Sequence, residues 1–388
     1  MTTELNELVS KGASPSDSAF VAPAIVATVV ERDGKMWQCA RGVGHAEDDP
    51  VTGDHVFWLA SLSKLMCTIA ALQTVERGLI GLDDDVKDVL PELAALEVLD
   101  GSVDEHGVPS TKPRQNKITL RTLLSHSSGV GSESFPPTLA AWANATGLPN
   151  KTLDSDQQVM LKCPLAFEPG TGWTYGEGID WAGEAVRRLN GLSLEDYYRK
   201  NIWGPLGMTR STFHPLQFGQ YIIQPYQRQA DGGVKAGPLV VPRDAPVEMA
   251  GHGVWSTPND HAKLLSALLR GGAPILSTKS VDEIFTPQLP DPKHLEAELH
   301  GFLERVLAPT IPRSQPVNHG LGGVVNLKDF PARRSAGTLQ WVGAANQFWW
   351  IDRTKGVAAS TFFQLIPAGD AKANAFNNKF EEAVYRSF

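Results

Sequence analysis

The sequence is poor in cysteine and has no excess of positive charge. Its 388 residues include only three cysteines, Cys39, Cys67 and Cys163. An odd number at such wide spacings is typical of neither a disulfide framework nor a zinc site. With 35 basic and 43 acidic residues the formal net charge is −8, so the chain lacks the basic surface that nucleic-acid binding requires.

The sequence also lacks long apolar runs. None approaches the roughly 18 residues that cross a membrane, and residues 1–12 contain no apolar stretch of the kind found in a secretory signal. Together with the low cysteine content, these absences predict a cytoplasmic protein without a membrane partner. The 42% hydrophobic and 20% charged residues are typical of a globular chain.

Strand patterns lie at both ends of the chain, and helical patterns fill its middle. A hairpin is predicted around the turn Asp33-Gly34. The other predicted strands cover 337–342, 347–352 and 357–364, and helices are predicted over 61–77, 119–125, 178–189, 193–202, 264–269 and 371–385, with a punctuated helical region over 133–168.

This distribution predicts an α/β fold of the α+β type, in which both ends of the chain form one antiparallel sheet with flanking helices. We expect a discontinuous sheet domain of residues 1–57 and 317–388. Residues 58–316 are then a mainly helical domain that carries the helix beginning near Ser61.

Ser61 and Lys64 begin this helix, three residues apart, and residues with that spacing share a helix face. Serine is a good nucleophile only when a neighbour takes its proton, and a buried lysine can do so. Backbone N–H groups at a helix start can also stabilise an oxyanion. The alternative is that Ser61 is an ordinary helix cap. Ser63 is a weaker candidate because its side chain diverges from Lys64.

Five segments resemble, in order, the serine β-lactamase and penicillin-binding-protein superfamily. Within it they are most similar to class C β-lactamase-related esterases and to fungal transesterases of the lovastatin side-chain acyltransferase type. The segments are "LASLSKLMCTIAALQTVERGLIGLDDDV" from Leu59, "ITLRTLLSHSSGV" from Ile118, "WTYGEGIDWAGEAV" from Trp173, "GVWSTPNDHAKLL" from Gly253, and "HGLGG" with "WVGAANQFWWID" near the C-terminus. The resemblance extends over residues 20–388.

The resemblance implies a β-lactamase/transpeptidase-like fold with the active site between sheet and helices. It implies that Ser61 is the nucleophile, that Lys64 and Tyr175 act as bases, and that the backbone N–H groups of Ser61 and Ala344 form an oxyanion hole. His126, in the second segment, is expected to have a structural role rather than to complete a triad.

Two positions depart from the β-lactamase pattern. Glu177 stands where those enzymes have an asparagine, and Trp341 with Gly343 replaces the Lys-Thr-Gly or His-x-Gly segment. Both departures argue against β-lactam hydrolysis, and the glycine allows close approach of the backbone. For Trp341 an ordinary core position is the alternative.

Further residues near the motifs are predicted to line a substrate pocket. Trp173 and Trp255 suit an apolar pocket for an acyl group or polyketide. His252 is a further candidate, with a loop position as the alternative.

The sequence therefore predicts a serine acyltransferase of fungal secondary metabolism. It would move an acyl group from a thioester or ester to a hydroxyl of a small natural product through an acyl-serine intermediate. Coenzyme A or an acyl carrier protein would carry the donor, and no metal or organic cofactor is implied. The alternatives are a carboxylesterase or lactone hydrolase with the same residues, and a repurposed member that catalyses elimination or cyclisation without acylation.

Overall fold

The main sheet is built from strands near the two ends of the chain. The computed structural model describes residues 2–46, 48–132, 136–148, 163–301 and 303–387. Its strands, in chain order, are β1 Ala24–Glu31, β2 Met36–Gly42, β3 Phe57–Trp58, β4 Val98–Val103, β5 Pro109–Lys112, β6 Tyr226–Arg228, β7 Val234–Ala236, β8 Trp255–Ser256, β9 Val317–His319, β10 Val324–Asn326, β11 Leu339–Val342, β12 Phe348–Asp352, β13 Val357–Phe362 and β14 Leu365–Ile366.

Seven strands form the main sheet in the order β2-β1-β13-β12-β11-β10-β9, with every neighbour antiparallel. The chain ends meet at the β1–β13 pair, where Val26 lies opposite Phe362. All of β13 and nearly all of β1 are buried, because helices cover both faces, and their apolar composition follows from this. The predicted hairpin and the three predicted C-terminal strands are confirmed.

Helices precede the first strand, lie between the strands along the chain, and follow the last strand. They are α1 Thr2–Gly12, α2 Ser63–Glu76, α3 Pro91–Ala94, α4 Leu120–Leu124, α5 Pro137–Thr146, α6 Gly178–Asn190, α7 Leu194–Tyr198, α8 Gly204–Leu206, α9 Pro258–Leu269, α10 Thr278–Phe285, α11 Lys293–Leu299, α12 Glu304–Leu307 and α13 Ala371–Tyr385. Within the described ranges, no helix is long and apolar enough to cross a membrane.

The start of helix α9 agrees with the capping pattern of the sequence. Thr257-Pro258-Asn259-Asp260 predicts a capped helix start ahead of 264–269, and α9 begins at Pro258, because Thr257 accepts a hydrogen bond from the Asp260 N–H and proline suits the first turn. Of the helix predicted over 193–202, the first part forms α7, and a π-helical turn, Arg199–Trp203, follows it directly. Of the helical region predicted over 133–168, α5 is present, and residues 133–135 and 149–162 lie outside the described residues.

Helices cover the main sheet on both sides. The C-terminal helix α13 packs against α1 and brings Phe380 to 5.8 Å from Trp350 of β12, measured between ring centroids. Helix α9 packs against β1 and β13, although it belongs to the predicted helical domain. In the helical part, α6 packs against both α2 and α4. The division into residues 1–57 with 317–388 and residues 58–316 stays a prediction.

A buried ion cluster joins α13 to the sheet. The Glu381 carboxylate, fully buried, accepts from Arg333 Nη2 and Arg334 Nη2, each at 2.6 Å. Arg334 Nη1 also donates to Gln340 Oε1 of β11 at 2.9 Å. Three charged groups therefore hold the last helix against the strand that precedes the Gly343 turn.

We expect Glu381→Gln to lower the free energy of unfolding by about 3–5 kcal/mol, because two arginines then stay buried without a counter-ion. Denaturant titration measures the loss. The control is Glu304→Gln, which breaks the exposed pair with Arg313 and should leave the unfolding midpoint unchanged. Equal midpoints for the two variants would contradict the importance of the cluster.

Candidate active site

A tight turn places Ser61 at the start of α2. Strand β3 pairs with β8 so that Trp58 lies opposite Trp255, and the Leu59 N–H donates to Val254 O at 3.0 Å. The next residue, Ala60, has φ +48°, which is uncommon for a residue with a side chain. The chain therefore turns sharply out of β3, and a single 3₁₀ turn carries Ser61 into α2.

Ser61, Lys64 and Tyr175 meet as the sequence predicts. Ser61 Oγ lies 2.5 Å from Tyr175 Oη, and Lys64 Nζ donates to Ser61 Oγ at 3.2 Å. Lys64 Nζ also donates to Gly251 O at 2.8 Å and lies 4.9 Å from the centroid of the Tyr175 ring. Only 4% of Lys64 is exposed, so the amine is removed from water and held by protein groups.

Two glycines bring the Tyr175 loop close to the neighbouring backbone. A Cβ on Gly176 would lie 2.6 Å from the Gly131 backbone, and one on Gly178 would lie 2.8 Å from Leu123 O. Neither contact tolerates a side chain, since real Cβ atoms do not approach a backbone so closely. The loop is therefore pressed against the end of α4, and Tyr175 faces Ser61.

Behind Tyr175 lies a cluster that we call the aromatic box, formed by His126, Trp173, His319 and Trp341. The His126 ring is 5.0 Å from the Tyr175 ring and 5.5 Å from the His319 ring, and Trp341 is 5.8 Å from Tyr175, all between centroids. All four box residues are buried. Both His126 ring nitrogens lack a hydrogen-bond partner within the described part of the chain, so His126 does not bond to Ser61.

Both histidines of the aromatic box are neutral near pH 7. Burial, followed by the nearby His319 and Lys64, lowers the pKa of His126 well below its usual value. Burial likewise lowers the pKa of His319 to about 4, and His319 Nδ1 donates to Gly320 O at 2.6 Å, which fixes its tautomer. The box therefore adds no positive charge beside Lys64.

The sheet supplies the opposite wall through the turn after β11. A Cβ on Gly343 would lie 2.8 Å from Leu59 O and 2.3 Å from Gln347 Oε1. Gln347 Nε2 donates to Trp58 O at 2.6 Å, which ties this turn to the segment before Ser61. The N–H of Ala344 makes no hydrogen bond with any other residue of the described ranges.

The other predicted pocket residues lie around this centre. Trp173, Trp255 and Trp341 are at most 3% exposed, so they are packed beneath the surface of the site. Their predicted contact with substrate stays a prediction. Glu177 immediately precedes α6. His252 is half-buried, and its carbonyl accepts from Trp58 Nε1 at 2.6 Å.

Some neighbours of the site differ from, or go beyond, the sequence prediction. Ser63 is fully buried and its Oγ accepts from the Val254 N–H at 3.2 Å, so it faces away from Tyr175 as expected. Asp180 and Gly251, next to Lys64, were not among the predicted residues. The signal for Asp180 was an acid on the buried face of a helix pattern. Within the described ranges, no three His, Cys, Asp or Glu side chains are grouped as a metal site.

Comparison with known proteins decides the family. Residues 19–380 match the family described as Beta-lactamase. The chain belongs to this family. The monacolin J acid methylbutanoyltransferase of Aspergillus terreus is 35% identical over 352 residues, which cover 87% of this chain and 84% of the relative. The lovastatin esterase of Penicillium rubens is 34% identical over 355 residues, covering 88% of each.

Solved structures of the family agree with the fold. The Simvastatin Synthase (LOVD) LovD6 mutant from Aspergillus terreus superposes with a TM-score of 0.88 at 32% identity, covering 100% of this chain and 97% of its own. EstCE1, a hydrolase with promiscuous acyltransferase activity, has a TM-score of 0.76 at 20% identity and shows the fold alone. The predicted β-lactamase/transpeptidase-like fold is confirmed. This member of the β-lactamase family is an enzyme that moves acyl groups, an acyltransferase or esterase.

The Gly343 turn leads to a testable expectation. Gly343→Ala should lower kcat for hydrolysis of a p-nitrophenyl ester at least about tenfold, because the new Cβ displaces Leu59 O and with it the turn that holds Ser61. Steady-state kinetics measure this. Gly233→Ala, whose Cβ would meet only the flexible end of Asp231 at 3.1 Å, is the matched control. Equal kcat values for the two variants would show that the close approach at Gly343 is unimportant.

Proposed function

We propose that this enzyme is a serine acyltransferase that works through an acyl-Ser61 intermediate. The observation that carries the proposal is the contact of Ser61 Oγ with both Tyr175 Oη, at 2.5 Å, and Lys64 Nζ, at 3.2 Å, at the start of α2. A serine hydroxyl bonded to two groups that can exchange its proton is the arrangement that nucleophilic catalysis requires.

In the first half-reaction the Lys64–Tyr175 pair removes the Ser61 proton, and Oγ attacks the carbonyl carbon of the donor. The negative charge that develops on the carbonyl oxygen is stabilised by the N–H groups of Ser61 and Ala344. The close approach of Gly343 to Leu59 O supports this pairing, since it places the turn that contains Ala344 beside the segment that leads to Ser61. The bond to the leaving group then breaks, and the pair returns the proton to it.

In the second half-reaction an acceptor alcohol enters. The Lys64–Tyr175 pair removes its proton, and the alkoxide attacks the acyl-serine carbonyl. The bond between acyl group and Ser61 breaks, and Oγ recovers a proton from the pair.

The substrates follow from the relatives and from the site. The monacolin J acid methylbutanoyltransferase supports a short branched acyl group and a hydroxyl of a polyketide-like natural product as acceptor. A buried Trp341 offers no cation for a substrate carboxylate, which supports an apolar ligand, and we retain Trp173, Gly343, Glu177, His252 and Trp255 as the proposed pocket. An activated thioester, on coenzyme A or an acyl carrier protein, suits transfer to an alcohol.

We also propose that the reaction takes place in the cytoplasm. Cys39 and Cys67 are buried thiols that form no disulfide, and burial raises the pKa of both. Protonated, unpaired cysteines of this kind are typical of proteins in a reducing compartment.

A second candidate function is ester hydrolysis at the same site. The lovastatin esterase of Penicillium rubens supports it, because that relative is almost as similar as the acyltransferase. The two functions share the acyl-serine and differ only in whether water or an alcohol attacks it. Incubation with an acyl thioester, with and without a polyketide alcohol, separates them by the yields of ester and free acid.

We expect Ser61→Ala to abolish both acyl transfer and the mass increase of one acyl group that intact-protein mass spectrometry should detect after mixing with an acyl thioester. The reason is that the acyl group forms its ester with Ser61 Oγ, which the variant lacks. Wild-type turnover without any trapped adduct, together with an inactive Ser61→Ala, would instead favour elimination or cyclisation without acylation. Turnover that survives in Ser61→Ala would overturn the proposal.

Tyr175→Phe should keep the ring and lower kcat by about 10²–10⁴-fold, the usual contribution of a proton-transferring group. The control is Tyr226→Phe, which removes a buried phenol on β6, outside the site. It should leave kcat unchanged. Comparable kcat values for the two variants would remove Tyr175 from the mechanism.

A further inference from the structure

The backbone of one residue, Gly251, lies between the site's buried cation and a buried anion. The Gly251 carbonyl accepts from Lys64 Nζ at 2.8 Å, and the Gly251 N–H donates to Asp180 Oδ1 at 2.8 Å. Asp180 is only 3% exposed, and Lys64 is 4% exposed. The two charges therefore do not touch, but the two successive peptide groups that meet at Gly251 connect them.

The Gly251 backbone packs tightly against helix α6. A Cβ on Gly251 would lie 2.5 Å from Asp180 Oδ2, and a Cβ on Gly183, one turn further along α6, would lie 2.5 Å from Ala250 Cβ. Both approaches require glycine. The loop that carries the Gly251 carbonyl, the acceptor for Lys64, is thus fixed relative to α6. Asp180 holds it there by accepting from the Gly251 N–H.

Asp180 also lies where a negative charge is favoured. It is in the first turn of α6, near the positive end of the helix dipole. A buried lysine loses its proton easily unless an opposite charge is near. The Asp180 carboxylate supplies that charge, whereas the Gly251 carbonyl alone supplies only a dipole.

Few other groups near Lys64 change charge between pH 5 and pH 9. Burial, with Asp180 as the next cause, raises the pKa of Cys67, and His126 stays neutral for the reason given above. Tyr175 shares the Ser61 hydroxyl with Lys64, and Glu177 immediately precedes the helix that carries Asp180. Among the groups that face the amine, Asp180 is the anion linked to it by hydrogen bonds.

We propose that Asp180 is a positioning residue for Lys64. By accepting from the Gly251 N–H it fixes the backbone whose carbonyl orients Nζ towards Ser61. The amine that exchanges a proton with Tyr175 and Ser61 is therefore kept in one place. This inference rests on the proposed function, because it assigns a role within the same proton exchange.

The test is Asp180→Asn, which keeps an oxygen to accept from Gly251 and removes only the charge. The kcat for hydrolysis of a p-nitrophenyl ester should fall about tenfold with KM little changed, because a neutral amide holds the Gly251 N–H less firmly than a carboxylate and Nζ is then less well aimed at Ser61. A purely structural role would lower the melting temperature and leave kcat of the folded enzyme unchanged.

Asp260→Asn is the matched control. Asp260 is another aspartate that is 3% exposed in the first turn of a helix, and it bonds to the Arg210 N–H and Lys263 Nζ instead. It should lower the melting temperature and leave kcat of the folded enzyme unchanged. A kcat of Asp180→Asn equal to that of the wild type would overturn the inference.

A further variant tests the link if Asp180→Asn does not fold. Gly251→Ala forces the Gly251 backbone away from Asp180 and should lower kcat at least about tenfold with KM little changed; an unchanged kcat would contradict the inference. Ser61→Ala, assayed in parallel, separates the two proposals. If it is inactive while Asp180→Asn behaves as wild type, only the role of Asp180 is wrong, whereas an active Ser61→Ala removes the proposed function itself.

Discussion

A lysine amine held out of water at the start of a helix is the constraint on which the rest of this site depends. Burying such a group is unfavourable unless protein atoms replace its hydration. Here the Gly251 carbonyl, the Ser61 hydroxyl and the face of the Tyr175 ring do so. Each comes from a different segment, so satisfying Lys64 also brings the Gly251 loop and Tyr175 close to Ser61. The buried carboxylate of Asp180 lies on the other side of Gly251, where it accepts from the Gly251 N–H.

Close backbone approaches make this arrangement rigid. Gly176, Gly251 and Gly343 each occupy a place where a Cβ would collide with another segment. Gly176 approaches the Gly131 backbone, Gly251 approaches Asp180 of α6, and Gly343 approaches Leu59 just before Ser61. Rigidity matters for catalysis, because an oxyanion hole and a proton-sharing pair act only when their atoms are already in position. The buried cluster of Glu381 supports the sheet at a distance and so holds the strand before the Gly343 turn.

The same fold serves acyl transfer and hydrolysis, and the features near the nucleophile separate this chain from β-lactam hydrolysis. Trp341 replaces a cationic residue with a buried ring in the aromatic box, whose two histidines are neutral. The surroundings of Tyr175 are thus apolar and uncharged apart from Lys64 and its partners. Such a site suits an acyl chain and a polyketide-like alcohol. Whether an alcohol or water attacks the intermediate depends on how fully the acceptor excludes water from the acyl-serine.

By itself, the sequence determined the family, the sheet built from both chain ends, and the meeting of Ser61 with Lys64 and Tyr175. The first two follow from ordered motifs and strand patterns, and Ser61 with Lys64 from helical periodicity, all of which are local. Only the tertiary structure decided that Trp173, Trp255 and Trp341 are buried behind the site and that Asp180 reaches Lys64 through Gly251. It also decided that α9 packs on the sheet. These contacts join residues far apart in the chain, and periodicity carries no information about which distant segments will be pressed together.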